Sequence, residues 1–164
     1  MSYDKVVEFD LECGSLKNKF PFGEFYSLFR QFLIEADLPY QYIMQEVAHT
    51  NDGMIYNALD SITMKNLNSE GYKPKIKMRL CVDDKIFRFA IEDNGTGIDS
   101  EVEKQLFKQK ISSEKKKHKH ICSGGLGKHM LDSRYDIKEL GGDIGFYNKG
   151  LNEGAIFWYE VPLQ

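Results

Sequence analysis

The sequence predicts an α+β fold, a two-layer sandwich in which helices cover one face of a mostly antiparallel sheet. Three features lead there. Five short runs alternate apolar and polar residues, three longer stretches carry apolar residues at helical spacing, and two pairs of strands follow one another with only a turn between them. The first run is KVVEFDL, Lys5 to Leu11, which sets Val7, Phe9 and Leu11 on one side of a half-buried strand. After the polar turn GSLKNK, Phe25, Leu28, Phe29, Phe32 and Ala36 mark the buried face of a helix over Phe22 to Ala36, which Pro39 closes. A second helix runs from Tyr40 to Lys65 with Ile43, Val47, Met54, Ala58 and Ile62 on its apolar side and Asn57 on the other, polar side. Gly53 weakens its middle by roughly 1 kcal/mol relative to alanine. The runs KIKMRLCV (Lys75 to Val82) and KIFRFAIED (Lys85 to Asp93) form a hairpin about Asp83-Asp84. Ile76, Met78 and Leu80 face the core from one strand and Phe87, Phe89 and Ile91 from the other, so Asp93 sits where a strand leaves the sheet. Leu126 to Leu140 reads as a helix ended by Gly141-Gly142, since glycine accepts the left-handed conformation of a C-cap. The strands IGFYN and AIFWYEVP close the chain.

Composition narrows the function classes. A chain of 164 residues with 41% hydrophobic and 29% charged residues is the size of one domain with a core of its own. The net charge is −3 and the pI about 5.8, which argues against sequence-independent binding of nucleic acid, because that needs a basic surface. Cys13, Cys81 and Cys122 are odd in number and widely spaced, so neither a disulfide framework nor a zinc site is indicated and a reducing cytoplasm fits. No segment approaches the ~20 apolar residues of a membrane span, and the first residues have no targeting pattern, so membrane contact is not expected.

Three separated segments can carry chemistry. Asp93-Asn94-Gly95-Thr96-Gly97 follows a strand: it is either a surface turn, or a carboxylate that accepts from an exocyclic amine beside glycines that let backbone approach a flat ring. Ser123-Gly124-Gly125-Leu126-Gly127 runs into a helix: it is either a simple connection, or a set of free N–H groups at the positive end of a helix dipole, which hold phosphate oxygens. Asn57 is either a solvated helix residue or a neutral amide ligand for Mg²⁺. A fourth segment, Lys108 to His120, is rich in lysine and poor in apolar residues. It is either a solvated charge run or a mobile lid whose cations meet a polyphosphate.

Taken together, their order resembles the ATP-binding domain shared by sensor histidine kinases, anti-sigma serine kinases, type II topoisomerases, a heat-shock chaperone and MutL, the GHKL superfamily. MIYNALDSI stands as the N box, EDNGTGI as the first glycine box, Leu106-Phe107 as the phenylalanine motif and SGGLGKHM as the second glycine box. The ending ELGGDIGFYNKGLNEGAIFWYEVPL is similar to the close of histidine-kinase catalytic domains. The resemblance covers Asn57 to Leu163 and implies a Bergerat-type ATP-binding fold. It implies that Asn57 coordinates Mg²⁺, that Asp93 pairs with adenine N6, that Gly97 lies against the base, and that Gly125 and Gly127 offer N–H groups to phosphates. Asp60, Gly95, Ile98, Ser123, Gly124, Leu126 and Lys128 complete the implied nucleotide contacts, and residues 108–123 take the place of the ATP lid. The whole chain, 1–164, would then be a single domain, with the strand and helix of 1–39 ahead of a nucleotide-binding core at 40–164.

The sequence departs from the family at four places. Gly53 stands where hydrolysing members carry a water-polarising glutamate, and Asp52 points about 100° away around the helix. Ser123 replaces a glycine, Lys128 an apolar residue and Ala155 a threonine. His49 lies on the same helix as Asn57 and is not the phosphoacceptor, and no metal site beyond nucleotide Mg²⁺ is indicated. The expected function is an ATP·Mg²⁺-dependent protein kinase of the histidine-kinase or anti-sigma type in bacterial signalling, cytoplasmic, acting on a protein phosphoacceptor and compatible with a homodimer. The alternatives are a non-catalytic, nucleotide-gated regulatory module that captures a partner and, third, an ATPase domain of a topoisomerase or MutL machine.

Overall fold

The computed structural model describes residues 3–11, 20–68, 70–98, 100–105, 125–150 and 152–163. The elements are β1 (Tyr3–Asp10), α1 (Phe22–Glu35), α2 (Tyr40–Asn68), β2 (Lys75–Asp83), β3 (Ile86–Asp93), α3 (Ser100–Gln105), α4 (Gly125–Glu139), β4 (Asp143–Gly150) and β5 (Gly154–Pro162). The strands form one five-stranded sheet in the order β1-β2-β3-β5-β4. Every neighbouring pair is antiparallel.

Alternation within the strands decides which face of the sheet is covered. Registers such as Met78↔Ile91↔Phe157 and Leu80↔Phe89↔Tyr159 line up core residues across three strands, and all of these are buried. On the other face Glu8, Lys77, Glu92 and Lys149 form ion pairs at 3.7 to 3.8 Å, a solvated charge ladder. The rings of Phe25, Phe29 and Phe32 on α1 meet Phe87 and Phe89 on β3 at 5.7 to 6.2 Å, tilted or edge-on as aromatic quadrupoles prefer. Leu33, which lies beside the predicted stripe, is buried with them.

Helix ends and turns differ from the sequence expectation by one to three residues, the largest difference being at the end of α2, Asn68 instead of Lys65. The first helix is closed by Asp37 in the left-handed conformation (φ 57°), not by Pro39. The Leu38 N–H reaches the Leu33 carbonyl and the Asp37 N–H the Ile34 carbonyl, which satisfies two of the helix's free acceptors. The hairpin turn is Asp84-Lys85, because Asp83 still pairs with Ile86. Both turn residues have positive φ, the twist a two-residue hairpin requires. The Gly141-Gly142 end is as expected, with the Gly142 N–H on the Ile137 carbonyl.

The second helix departs most from a simple amphipathic reading. α2 packs against β3 and β5 on one side and against α4 on another. Its polar residues are therefore covered too: Thr50, Asn51, Asn57 and Asp60 are all buried. Of the two readings of Asn57, the solvated one is excluded by this burial. No helix among the described residues is long and apolar enough to cross a membrane.

Candidate functional site

Residues 57, 61 and 65 recur at four-residue spacing and so form one stripe along α2. The stripe faces the loop that leaves β3. Ser61 Oγ donates to Asp93 Oδ1 at 2.9 Å, and the Ser61 carbonyl accepts the Thr96 N–H at 3.3 Å. Lys65 Nζ donates to the carbonyls of Asn94 at 3.2 Å and Asn152 at 2.6 Å and lies 4.8 Å over the Tyr72 ring. Asn57 thus sits one turn, about 5.4 Å along the axis, before the residue that grips Asp93.

The loop itself is held rigidly. Asn94 Oδ1 accepts from the Tyr72 hydroxyl at 2.8 Å and from the Lys75 N–H at 2.9 Å, while its Nδ2 donates to the Lys73 carbonyl at 2.9 Å. Asn148 on β4 brackets Ile98: its Nδ2 donates to the Ile98 carbonyl at 2.9 Å and its Oδ1 accepts the Ile98 N–H at 3.3 Å. At Gly95 a Cβ would stand 2.2 Å from Ser61 Oγ and 2.4 Å from the Ser61 carbonyl carbon. The glycine is therefore required by the approach of α2. A Cβ on Gly154 would likewise lie 2.0 Å from the Asp93 carbonyl oxygen, so β5 can run alongside Asp93 only as glycine.

Asp93 is 2% exposed, and burial raises its pKa from 3.8 to about 6. Hydrogen bonds from the Gly95 N–H and the Ser61 hydroxyl, the charge of Lys149 and the nearby Ala155 N–H favour the anion but do not cancel the desolvation. The result is a carboxylate that is ionised at neutral pH and neutral a little below it. It raises the pKa of the neighbouring Tyr72 hydroxyl in turn, after that residue's own burial.

Asn57 is in the opposite state. It is 6% exposed, and neither Oδ1 nor Nδ2 has a hydrogen-bond partner among the described residues. A buried amide with no partner costs about 1–3 kcal/mol, and a native fold that keeps one has a use for it. A neutral amide oxygen suits Mg²⁺, which takes few protein ligands and completes its shell with water and phosphate oxygens. Asp60, one turn further, is also buried. On the preceding turn Gly53 is buried, and Asp52 turns toward α1, where Oδ1 accepts the Tyr26 hydroxyl. The burial of Tyr26, and then that bond, hold the phenol well above its usual range.

Gly125, Leu126, Gly127 and Lys128 form the first turn of α4, so their N–H groups are among those a helix leaves without intrahelical acceptors. The helix packs on α2. Ser123 and Gly124, the lid at 108–123 and the Leu106-Phe107 motif lie outside the described residues. The structure therefore brings Asn57, Asp60, Asp93, Gly95, Gly97 and Ile98 onto α2 and the adjoining loop. Ser61, Lys65, Asn148 and Lys149 were missed by the sequence reading. Only the four-residue spacing of Ser61 and Lys65 from Asn57 pointed to any of them.

Residues 48–164 match a family model described as Histidine kinase-, DNA gyrase B-, and HSP90-like ATPase. The match begins within α2, which leaves β1 and α1 ahead of it. Among solved structures, the chain is similar to the catalytic domain of histidine kinase ThkA in a nucleotide-free form, with a TM-score of 0.50 and 18% identity over 96% of this chain and 95% of that one. It is similar also to full-length ShkA in complex with AMPPNP, with a TM-score of 0.50 and 19% identity over 71% of this chain and 21% of that one. At such identities the likeness concerns the fold: an open antiparallel sheet with helices on one side. A curated relative, hybrid signal transduction histidine kinase K of Dictyostelium discoideum, is 25% identical over 76 residues, 46% of this chain and 6% of that protein. The chain thus spans a small fraction of that relative's length.

Proposed function

Because the chain belongs to the histidine kinase-, DNA gyrase B-, and HSP90-like ATPase family, we propose that it binds ATP with Mg²⁺ and passes the γ-phosphoryl group to a side chain of a partner protein. The observation that carries this reading is Asn57, a buried amide with both polar atoms unpartnered among the described residues, on the helix whose next turn grips Asp93. Asn57 would hold Mg²⁺, which when bound neutralises charge on the phosphates. Asp93 accepts from the exocyclic amine of adenine and so fixes one end of the nucleotide. The N–H groups of Gly125 to Lys128 meet phosphate oxygens at the other end. In the transfer the acceptor's lone pair forms a bond to the γ-phosphorus, the bond from that phosphorus to the bridging oxygen breaks, and ADP leaves with the electron pair. Such transfer depends mainly on positioning and charge, so the chain needs no base of its own when the partner supplies the nucleophile. That two of the similar proteins are histidine kinases, and that ShkA is in complex with AMPPNP, supports the same reading.

The same site makes a poor hydrolase. Gly53 offers no carboxylate one turn before Asn57, and Asp52 is engaged by Tyr26. The isolated protein should bind ATP yet turn it over well below about 1 per second, the low end for enzymes. Asp52→Asn, which keeps an acceptor for the Tyr26 hydroxyl, should leave that rate within about twofold, a change too small to reflect loss of a general base. Phosphate release by wild type and Asp52→Asn checks this, and rapid turnover abolished in the variant would make Asp52 the base. Transfer of radiolabel from γ-labelled ATP to candidate partners tests the kinase reading itself. Firm ATP binding with no label on any partner would replace it by a nucleotide-gated regulator.

A further inference from the structure

One oxygen of the Asp93 carboxylate is occupied before any ligand arrives. A carboxylate offers about four acceptor positions. The Ser61 hydroxyl and the Gly95 N–H take both positions on Oδ1, each at 2.9 Å. Only Oδ2 is left for a base. Adenine needs one acceptor, because its N6 presents a single N–H in that direction, whereas guanine's N1–H and N2–H are recognised by a carboxylate that can accept twice. We propose that Ser61 is a positioning residue that sets base selectivity, by tying up Asp93 Oδ1 so that the carboxylate can accept only one N–H from the ligand. The proposal rests on the nucleotide reading above and deepens it.

The surroundings make Ser61 well suited to this role. Its hydroxyl lies against Gly95, where no side chain fits, and also receives the Gly97 N–H at 3.4 Å, so its rotamer is set by the loop it serves. The same hydrogen bond favours the ionised carboxylate, so its loss should raise the pH at which Asp93 protonates. The other charged or titratable groups around Asp93 are Lys149 on β4, Tyr72 ahead of β2 and, on α2, Lys65, with Asp60 the residue before Ser61. None of them is altered by a change at Ser61.

The test uses the full chain as wild type, Ser61→Ala and Ser61→Thr. Calorimetric titration with ATP and with GTP at pH 7 should show that Ser61→Ala narrows the ATP preference by about fivefold, the worth of one ordinary hydrogen bond. Ser61→Thr, which keeps the hydroxyl, should hold the wild-type ratio. In nucleotide-free protein, the Asp93 carboxyl carbon followed by NMR should titrate at higher pH in Ser61→Ala than in wild type and Ser61→Thr. A variant with an unchanged ATP-to-GTP ratio overturns the selectivity role. An unmoved titration overturns the tie to Asp93, whether or not nucleotide binds. Wild type that binds neither nucleotide would fail the functional reading and the selectivity role with it, while the titration still decides whether Ser61 governs Asp93.

Discussion

Asp93→Asn should weaken ATP binding about a hundredfold at pH 7, roughly 2.7 kcal/mol, with little change in the stability of the fold. The amide can keep one oxygen for Ser61 and Gly95, but its NH₂ then faces the adenine amine, donor against donor. A hydrogen bond to a charged acceptor is lost in the exchange. Stability moves little because two effects oppose. In the wild type the folded pKa of about 6 exceeds the ordinary 3.8, so between these values the native state holds more protons than the unfolded one. Stability contributed by this group is therefore greatest at low pH and falls as pH rises through 6, by about 3 kcal/mol for a shift of this size. Asparagine removes that cost and adds a comparable one, because its amide pairs imperfectly and the hydrogen bonds to a charged acceptor are weakened. ATP affinity in the wild type should run the other way and weaken as pH drops through 6, because the acceptor is neutralised. Calorimetry with ATP and thermal melts at pH 5 and 7 check both slopes. Unchanged affinity in Asp93→Asn would remove the carboxylate from the site.

Asn57→Ala should abolish the tightening of ATP binding by Mg²⁺, a loss of at least about tenfold, or 1.4 kcal/mol, while affinity for metal-free ATP changes far less. The nucleotide-free protein should melt no lower than wild type. Its amide has no partner among the described residues, so truncation deletes two buried, unsatisfied atoms, and that gain offsets the packing lost with the side chain. A residue kept for structure would behave in the reverse sense, with a sharply lower melting temperature and an unaltered response to Mg²⁺. Titrations with and without Mg²⁺, set beside melting curves, separate the two cases.

The five strands, the three longer helices and their order were legible because each rests on a local signal, whereas the short α3 (Ser100–Gln105) was not read from the sequence. Alternation in KIKMRLCV and KIFRFAIED names both the strands and the face that Met78 and Phe89 bury, since a strand's side chains change sides at every residue. The candidate site was legible as a set of residue types in a given order, Asn57, Asp93 and the glycines. The family resemblance rests on those types and that order alone, and residues 48–164 match the family. What those residues touch was not legible. Asn57 was read on the polar side, solvated or a metal ligand, because an apolar stripe shows only one covered side, and nothing within α2 announces that α4 covers another. The hydrogen bond from Ser61 to Asp93 joins residues 32 apart in the chain, and that from Tyr159 to Asn51 joins residues 108 apart. Periodicity and turn chemistry act over a few residues, so the sequence by itself determined which segments become strands and helices and which residue types gather at their ends. Only the tertiary structure decided that Asp93 would be desolvated with one oxygen already occupied, that Asp52 would be spent on Tyr26, and that the Asn57 amide would be buried without a partner among the described residues. Each of these follows from which element the sheet register and helix packing bring alongside, a choice made by burial summed over the whole core.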